Sequence, residues 1–422
     1  MSRAHLKASL LALSLLFLLF SCGAPEGEEE SPAEEQAERA EPEPVEEAEP
    51  VIEEEELPEI EPPNRSEALL TFYTGDVFVD DAGEWVYAEI GDTYRAEDRL
   101  FVETGYAELQ FGETAVVRLQ ENTRITLGHV SLEPGNSDVE LSVASGSVVN
   151  KVERLTQGDA FRVRTDTAVM GVRGTEFAVR VGENRDTNVA VREGRVTVLP
   201  GTVDLGALER RARTSGQEEL VAALREVESA APVVEANQET EVNAERVQEQ
   251  AAASLSVMSE VEAVVSRGES APEEVSEDEI QQVTDRVREA VLQQSEESVS
   301  PVRDISEERA EELSQTEQMR LLPVRLSPPE GEEEQTEEEE PAARLVRVSI
   351  TTTPPTAEVL LDQFPVGRGR FSGVFEEGEQ LTFAVRADGH ESAELTVAAN
   401  SGRSIRVSLV EEERPSEPEP EP

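Results

Sequence analysis

Cysteine occurs once in the 422 residues, at Cys22, and histidine three times, at His5, His129 and His390. One thiol excludes an intramolecular disulfide, a CxxC redox pair and a cysteine-rich zinc site, and three imidazoles so far apart in sequence compose no metal or triad motif. Lysine is confined to Lys7 and Lys151, so nearly every cation is arginine. Aromatic residues make up only 4% of the chain and hydrophobic residues 37%, too little apolar matter to pack this length into one large body. A single large globular enzyme is therefore not expected. No apolar run beyond Cys22 is long enough to cross a bilayer, which takes about 18 residues or more. Walker, HExxH and EF-hand spacings are missing too, and glutamates spread through hydrated stretches mark no acid–base pair, because that chemistry needs one desolvated carboxyl. The expectation is a protein that is not an enzyme, with no cofactor and no metal.

What the chain has in excess is acid. Ninety-two Asp and Glu face 37 Lys and Arg, a net charge of −55. Nucleic-acid phosphates would repel such a chain, since binding them relies on clustered cations that release counterions, so a nucleic-acid partner is excluded. The acid is concentrated in runs mixed with proline, Pro25–Pro63, Pro329–Pro341 and Glu411–Pro422. Like charges repel and proline removes backbone donors, so these runs read as extended disordered spacers: a tether at 22–65, a linker at 323–343 and a tail at 412–422. The same arginine-for-lysine, glutamate-rich composition is tolerated at high salt, which screens self-repulsion.

The first 21 residues have the three parts of a secretory signal: a basic start through Lys7, an apolar stretch from Ala8 to Phe20, and small Ser21 at the cut. Leu19-Phe20-Ser21-Cys22 resembles a bacterial lipobox. That resemblance implies diacylglycerol on Cys22, cleavage before it, and an anchor in which each buried methylene contributes about 0.8 kcal/mol. It places the protein in the cell envelope, on the periplasmic face or the outer membrane, with the membrane as a partner through lipidated Cys22. Gly23, where a retention-type Asp would stand, leaves the outer membrane open.

Residues 66 to about 203 alternate β-branched or aromatic with polar side chains between glycine and Asn/Asp turns, as in Ala107-Glu-Leu-Gln-Phe111 and Phe161-Arg-Val-Arg-Thr165. Period two predicts an all-β domain. A helical excursion follows at about 205–231, with Leu205, Leu208, Leu220, Leu224 and Val227 on its apolar side, and Val233–Val242 alternates again as a closing strand, which extends the domain to 66–245. Residues 246–322 read as helical. One stripe runs through Val247, Ala251, Leu255, Met258, Val261 and Val265; after a break at Gly268–Pro272, Ser276 and Glu279 form a capping box before Ile280, Val283, Val287 and Val291. The stripes are too short for a coiled coil and suit a hairpin packed on itself or on the β domain. Residues 344–411 hold five alternating segments, the pattern of a small sandwich. The fold class is mainly β, with a helical middle segment and acidic disordered tethers.

The ordered string Gly75-Asp-Val-Phe-Val79, Trp85, Glu103-Thr-Gly105, Thr165-Asp-Thr-Ala-Val-Met-Gly171-Val-Arg-Gly-Thr175-Glu-Phe177 and Arg192-Glu-Gly-Arg-Val196 resembles the FecR domain. The family is best known from cell-surface signalling, where a periplasmic domain reads an outer-membrane transporter and an inner-membrane helix passes that state to a sigma factor. The anti-sigma segment and spanning helix of that layout have no counterpart in this sequence, so the resemblance implies a β-rich interaction module. Arg173 is the one candidate binding residue. Gly171 and Gly174 either let it present its planar fork to a carboxylate or simply build a tight turn between strands, and the turn reading is preferred. In the last block, Pro355-Thr-Ala-Glu-Val359, Asp362, Gly367 and Ala387-Asp-Gly-His390 resemble the PEGA domain, with Gln363 where glycine is usual. His390 beside Gly389 reads as a turn residue. The functional expectation is a lipid-anchored envelope scaffold or adaptor that binds an envelope protein or cell-wall glycan through its β modules. The alternative is a FecR-type signalling sensor acting through a separate membrane partner. The oligomeric state is left open.

Overall fold

The structure, a computed structural model, describes residues 49–156, 158–270, 275–324, 326–327 and 344–412. The signal segment 1–21, Cys22, the tether up to residue 48, linker residues 328–343 and the tail from residue 413 lie outside the described residues. In chain order the first elements are β1 (Val51–Leu57), β2 (Glu67–Thr74), β3 (Val77–Asp81), β4 (Glu84–Tyr87), β5 (Thr93–Arg95), β6 (Arg99–Val102), β7 (Tyr106–Phe111), β8 (Ala115–Leu119), β9 (Thr123–Ser131), β10 (Asp138–Val152), β11 (Ala160–Arg164), β12 (Ala168–Val172), β13 (Thr175–Val181), β14 (Thr187–Glu193) and β15 (Arg195–Pro200). Helices α1 (Leu205–Thr214) and α2 (Glu218–Ser229), strands β16 (Val233–Glu235) and β17 (Gln238–Val242), helices α3 (Ala244–Ser270) and α4 (Glu277–Ser298), the short β18 (Arg303–Asp304) and α5 (Glu307–Ser314) follow. The last block is β19 (Leu345–Thr353), β20 (Glu358–Leu361), β21 (Phe364–Arg368), β22 (Arg370–Glu376), β23 (Gln380–Arg386), β24 (Ala393–Ala398) and β25 (Gly402–Ser408). The chain is mainly β, with a helical middle.

Two sheets share β10. Its first half pairs with β9 and β11, its second with β8 and β13. The strand changes sheet at Gly146, whose φ of +89° and whose approach to Thr123, where a Cβ would lie 2.5 Å from that residue's Cα, leave room for glycine alone. The outer sheet then runs β4–β3–β6–β9–β10–β11–β12–β15–β16, and the inner one contains β2, β7, β8, β10, β13, β14 and β17. Alternation sends Leu100, Val139, Val163 and Met170 of one sheet and Leu109, Val117, Phe177 and Val189 of the other into a common core. Phe111 and Phe161 meet edge to face across it at 6.1 Å. Burying each such side chain contributes on the order of 1.5–3 kcal/mol.

Both outward faces are clad over part of their extent. Val169 and Leu199 of the outer sheet lie under a helical layer whose buried positions include Leu208, Leu224, Val261, Val287 and Val291, and Val116, Val149 and Ala178 of the inner sheet lie under Leu313 of α5 and Met319. The excursion at 205–231 is two helices, not one, parted at Gly216 (φ +72°); Asp204 caps the first by accepting from the Ala207 N–H at 3.0 Å. Ser276 caps α4 through the Glu279 N–H. Two expectations about α3 fail. Leu255 is 58% exposed, because the buried face runs through Ser254, whose hydroxyl donates to Gln294 at 2.6 Å. Gly268 does not break the helix: it stays helical to Ser270 and lacks a side chain where Gln217 presses against it.

The last block is a sandwich of seven strands rather than five. The sheet β21–β20–β23–β24 packs on β22, β19 and β25 around Val348, Ile350, Phe371, Phe383 and Ile405. The glycine-rich stretch around Gly367 and Gly369 hid β21 and β22 from the alternation pattern. Their neighbours correct a second expectation. The acidic run read as tether ends in β1, which pairs with β25 in full register, and Glu53 and Glu54 meet Arg406 and Arg403 at 3.0 and 2.8 Å. Glu53 and Glu56 are tolerated there because they stand directly opposite Arg406 and Arg403 on the neighbouring strand. On its other side the sandwich joins the first domain directly: β22 pairs with β2, setting Phe72 against Gly373 and Thr74 against Phe371.

Candidate functional site

The junction of β2 and β22 carries a cleft of about 470 Å³. Its floor is aromatic. Phe72 of β2 stacks on Tyr106 of β7 at 5.1 Å and meets Phe371 of the sandwich edge to face at 5.2 Å. Over Tyr106, at 4.5 Å from its ring, lies the guanidinium of Arg118, which also donates to Glu108 Oε1 through Nε at 2.9 Å and Nη2 at 2.5 Å. Arg118 and Glu108 are both buried, so the pair has shed its water and depends on that geometry. Burial pushes the Tyr106 hydroxyl up to about 12, against the opposing pull of Arg118. Leu361, Val366 and Phe375 form the sandwich wall, and Phe364, 60% exposed, stands on the rim.

Phe364 is held there by a two-residue hairpin. Asp362 and Gln363 both take positive φ, +48° and +74°, and Leu361 pairs with Phe364. Such a turn favours glycine at its second central position, which is where the sequence has Gln363. Of the charged groups of the cleft, Glu108 is matched by Arg118, Glu317 by Arg192 and Arg320 by Glu379. What is left to offer a ligand is aromatic and aliphatic surface under a paired polar rim, which binds and orients rather than reacts. Among the described residues no group of three or more His, Cys, Asp or Glu could hold a metal ion.

Arg173 is exposed in the turn between β12 and β13, with Gly174 at φ +73° supplying the bend. It lies on the rim of a smaller cavity of about 220 Å³ together with Arg195 and Arg225. Beneath that cavity is a charge cluster that sequence reasoning missed. Arg162 of β11, only 3% exposed, bonds Asp138 of β10 at 3.2 Å, Glu209 of α1 at 2.5 Å and Glu228 of α2 at 3.2 Å. Desolvation works against its charge, but the attraction of Glu228, Asp138 and Glu209 outweighs it and holds the guanidinium above its ordinary pKa. Glu209 likewise pays for burial yet is held below the usual carboxylate value by Arg162, Arg225 and Arg213. Gly171 makes space for the cluster: a Cβ would fall 2.5 Å from Glu228 Oε1 and 2.6 Å from Thr197 Oγ1. Gly171 therefore does not share the turn expected of it with Gly174: it lies within β12, and the group that crowds it is the chain's own carboxylate. No ion pair of Arg173 occurs among the described residues.

His129 of β9 borders the cluster opposite Glu140. Burial lowers its pKa, with Arg210 adding to the effect and Asp138 opposing it. His390 sits in a turn, its Nδ1 3.0 Å from the Asp388 carbonyl. Cys22 lies outside the described residues. Among those residues no helix is long and apolar enough to cross a membrane.

No curated protein matches the chain. Two crystal structures of a candidate anti-sigma factor from Parabacteroides distasonis, at 2.50 and 1.65 Å resolution, match 34% of this chain with 21% identity and a TM-score of 0.24. The match takes in 54% of that protein, about half its length. Residues 98–197, from β6 to β15 and including Arg162 and the Arg173 turn, match the family described as FecR protein.

Proposed function

We propose that this chain is an interaction protein of the cell envelope, lipid-anchored at Cys22, that holds an envelope protein or cell-wall glycan through its β modules. The observation that carries the reading is the seam. β2 and β22 join the FecR-like block and the sandwich edge to edge, and the cleft over Phe72, Tyr106 and Phe364 draws walls from both. Two modules that only marked spacing along a tether would have no reason to share a sheet or to expose a phenylalanine above an aromatic floor. The direct test is a photo-cross-linking residue at Phe364 in intact cells, beside one at Asn184 on the exposed loop between β13 and β14, outside the cleft. Adducts specific to position 364 are expected; equal capture at both positions removes the cleft from the reading. A Cys22→Ala protein that still fractionates with membranes removes the anchor.

The FecR match favours a second reading, a sensor that passes envelope status to a separate membrane partner. Deleting the gene separates the two. A sensor's loss shifts a sigma-dependent transcript set, whereas a scaffold's loss leaves transcription unchanged and disturbs envelope integrity.

A further inference from the structure

The strand β4 is the one element of the outer sheet whose every residue is exposed, and it spends large apolar side chains on that exposure: Trp85 at 41%, Val86 at 38% and Tyr87 at 61%. Among the described residues it pairs only with β3, which leaves one edge of its backbone open. The Ala88 N–H donates to the Val77 carbonyl at 2.9 Å, and alternation then turns the backbone groups of Trp85 and Tyr87 away from the sheet. Register places Tyr87, Phe78, Phe101 and Arg124 in one row across β4, β3, β6 and β9. The row is a stack. Tyr87 lies 4.7 Å from Phe78, Phe78 lies 6.3 Å from Phe101 at 22°, and the Arg124 guanidinium caps Phe101 at 3.9 Å. At the far end the stack stops at the open edge, with no second cap on Tyr87 among the described residues.

We infer that the β4 edge is a docking site for an extended, arginine-bearing segment of a partner protein, added as a further strand. Strand addition satisfies the outward backbone groups of Trp85 and Tyr87, and a side chain opposite Tyr87 continues the row. Charge selects the occupant. The hairpin tip carries Asp81 and Glu84, both exposed and neither in an ion pair among the described residues, on a chain of net charge −55. A second copy of this chain is repelled, whereas a guanidinium matches the carboxylates and caps Tyr87 as Arg124 caps Phe101. The site is separate from the seam cleft and stands or falls without it.

Trp85 is the only tryptophan, so its emission reports on this edge alone. The full chain is titrated with the synthetic peptide Thr-Arg-Val-Arg-Val-Thr, with the same peptide carrying proline at its central valine, and with its glutamate counterpart. A saturable shift in Trp85 emission is expected for the arginine peptide alone, weakening as salt rises. Tyr87→Ser should weaken it about tenfold or more. Glu84→Gln, which leaves the ring stack intact, should weaken it severalfold with an unchanged melting temperature. The inference is overturned if the arginine peptide leaves the emission unchanged, if the proline or glutamate peptide binds equally well, or if Trp85 responds instead to neutral oligosaccharides. Sedimentation showing self-association lost in the Tyr87 variant would replace the partner with a second copy and overturn it too.

Discussion

One face of the outer sheet is solved in two different ways. Over β10, β11, β12 and β15 it is roofed by helices, and beside the apolar Val169 and Leu199 of β12 and β15 its outward side chains on β10 and β11 are charged: Asp138, Glu140, Arg162 and Arg164. Over β4, β3 and β6 it has no roof among the described residues, and beside the one ion pair of Asp80 and Arg99 the outward side chains are Tyr87, Phe78, Phe101 and Trp85. The usual expectation is the reverse, charge toward water and rings toward protein. Charges can sit under the roof because the roof brings their partners: Glu209, Arg210 and Glu228 all come from α1 and α2. Rings can sit in the open because they cover one another. A buried ion cluster locks one geometry at a high cost for any error, whereas a bare ring stack adds little to stability and leaves surface free to bind.

The largest effect that this contrast predicts is Arg162→Ala. It leaves Asp138 and Glu209 buried with part of their counter-charge gone, and loss of one partner in such a cluster costs about 3–5 kcal/mol. Denaturant unfolding should register that loss. A fall below about 1 kcal/mol would mean the cluster is wetter than its burial indicates.

Acid should open the same half next. Glu209, held below its ordinary 4.5 in the folded state, contributes stability that is present above 4.5 and lost as pH falls through its folded value. His129, held below 6.5 chiefly by burial, acts in the same direction: the unfolded chain takes up its proton first, so stability falls as pH drops past 6.5. Hydrogen exchange followed from pH 7 to pH 4 should therefore show α1 and α2 losing protection before β3 and β6. Simultaneous loss would erase the distinction between the halves. Gly171→Ala probes the roofed half more gently. The new methyl displaces Glu228 from Arg162, for an expected loss of about 1–3 kcal/mol in the same unfolding assay.

Much of this contrast was legible in the sequence and its decisive part was not. Alternation in Ala107–Phe111 and Phe161–Thr165 marks strands, and the leucines of 205–227 mark an apolar helical face, because both are local periodicities. In Phe161-Arg-Val-Arg, however, alternation sends Arg162 toward solvent; its burial is decided by helices that begin more than forty residues later. The strand β1 was hidden for a similar reason, since nothing within Glu53–Glu56 announces the arginines of β25 opposite it. Trp85 was visible as part of a family-like string, but a four-residue edge strand has no periodicity from which to read which rings stay bare.

The smallest predicted effect is the sharpest test of the comparison. Tyr87→Ser removes the outermost ring of the stack, which touches Phe78 and is otherwise 61% exposed. A ring pair beyond its area burial is worth about 0.5–1.5 kcal/mol, and this one lies at an edge with solvent on its open side, so the expected loss is about 1 kcal/mol or less. Differential scanning calorimetry of the variant beside Arg162→Ala should show a small shift against a large one. If the two shifts match, the ring stack is a structural support of the fold in its own right, and the bare half of the sheet loses its claim to be surface held in reserve for a partner.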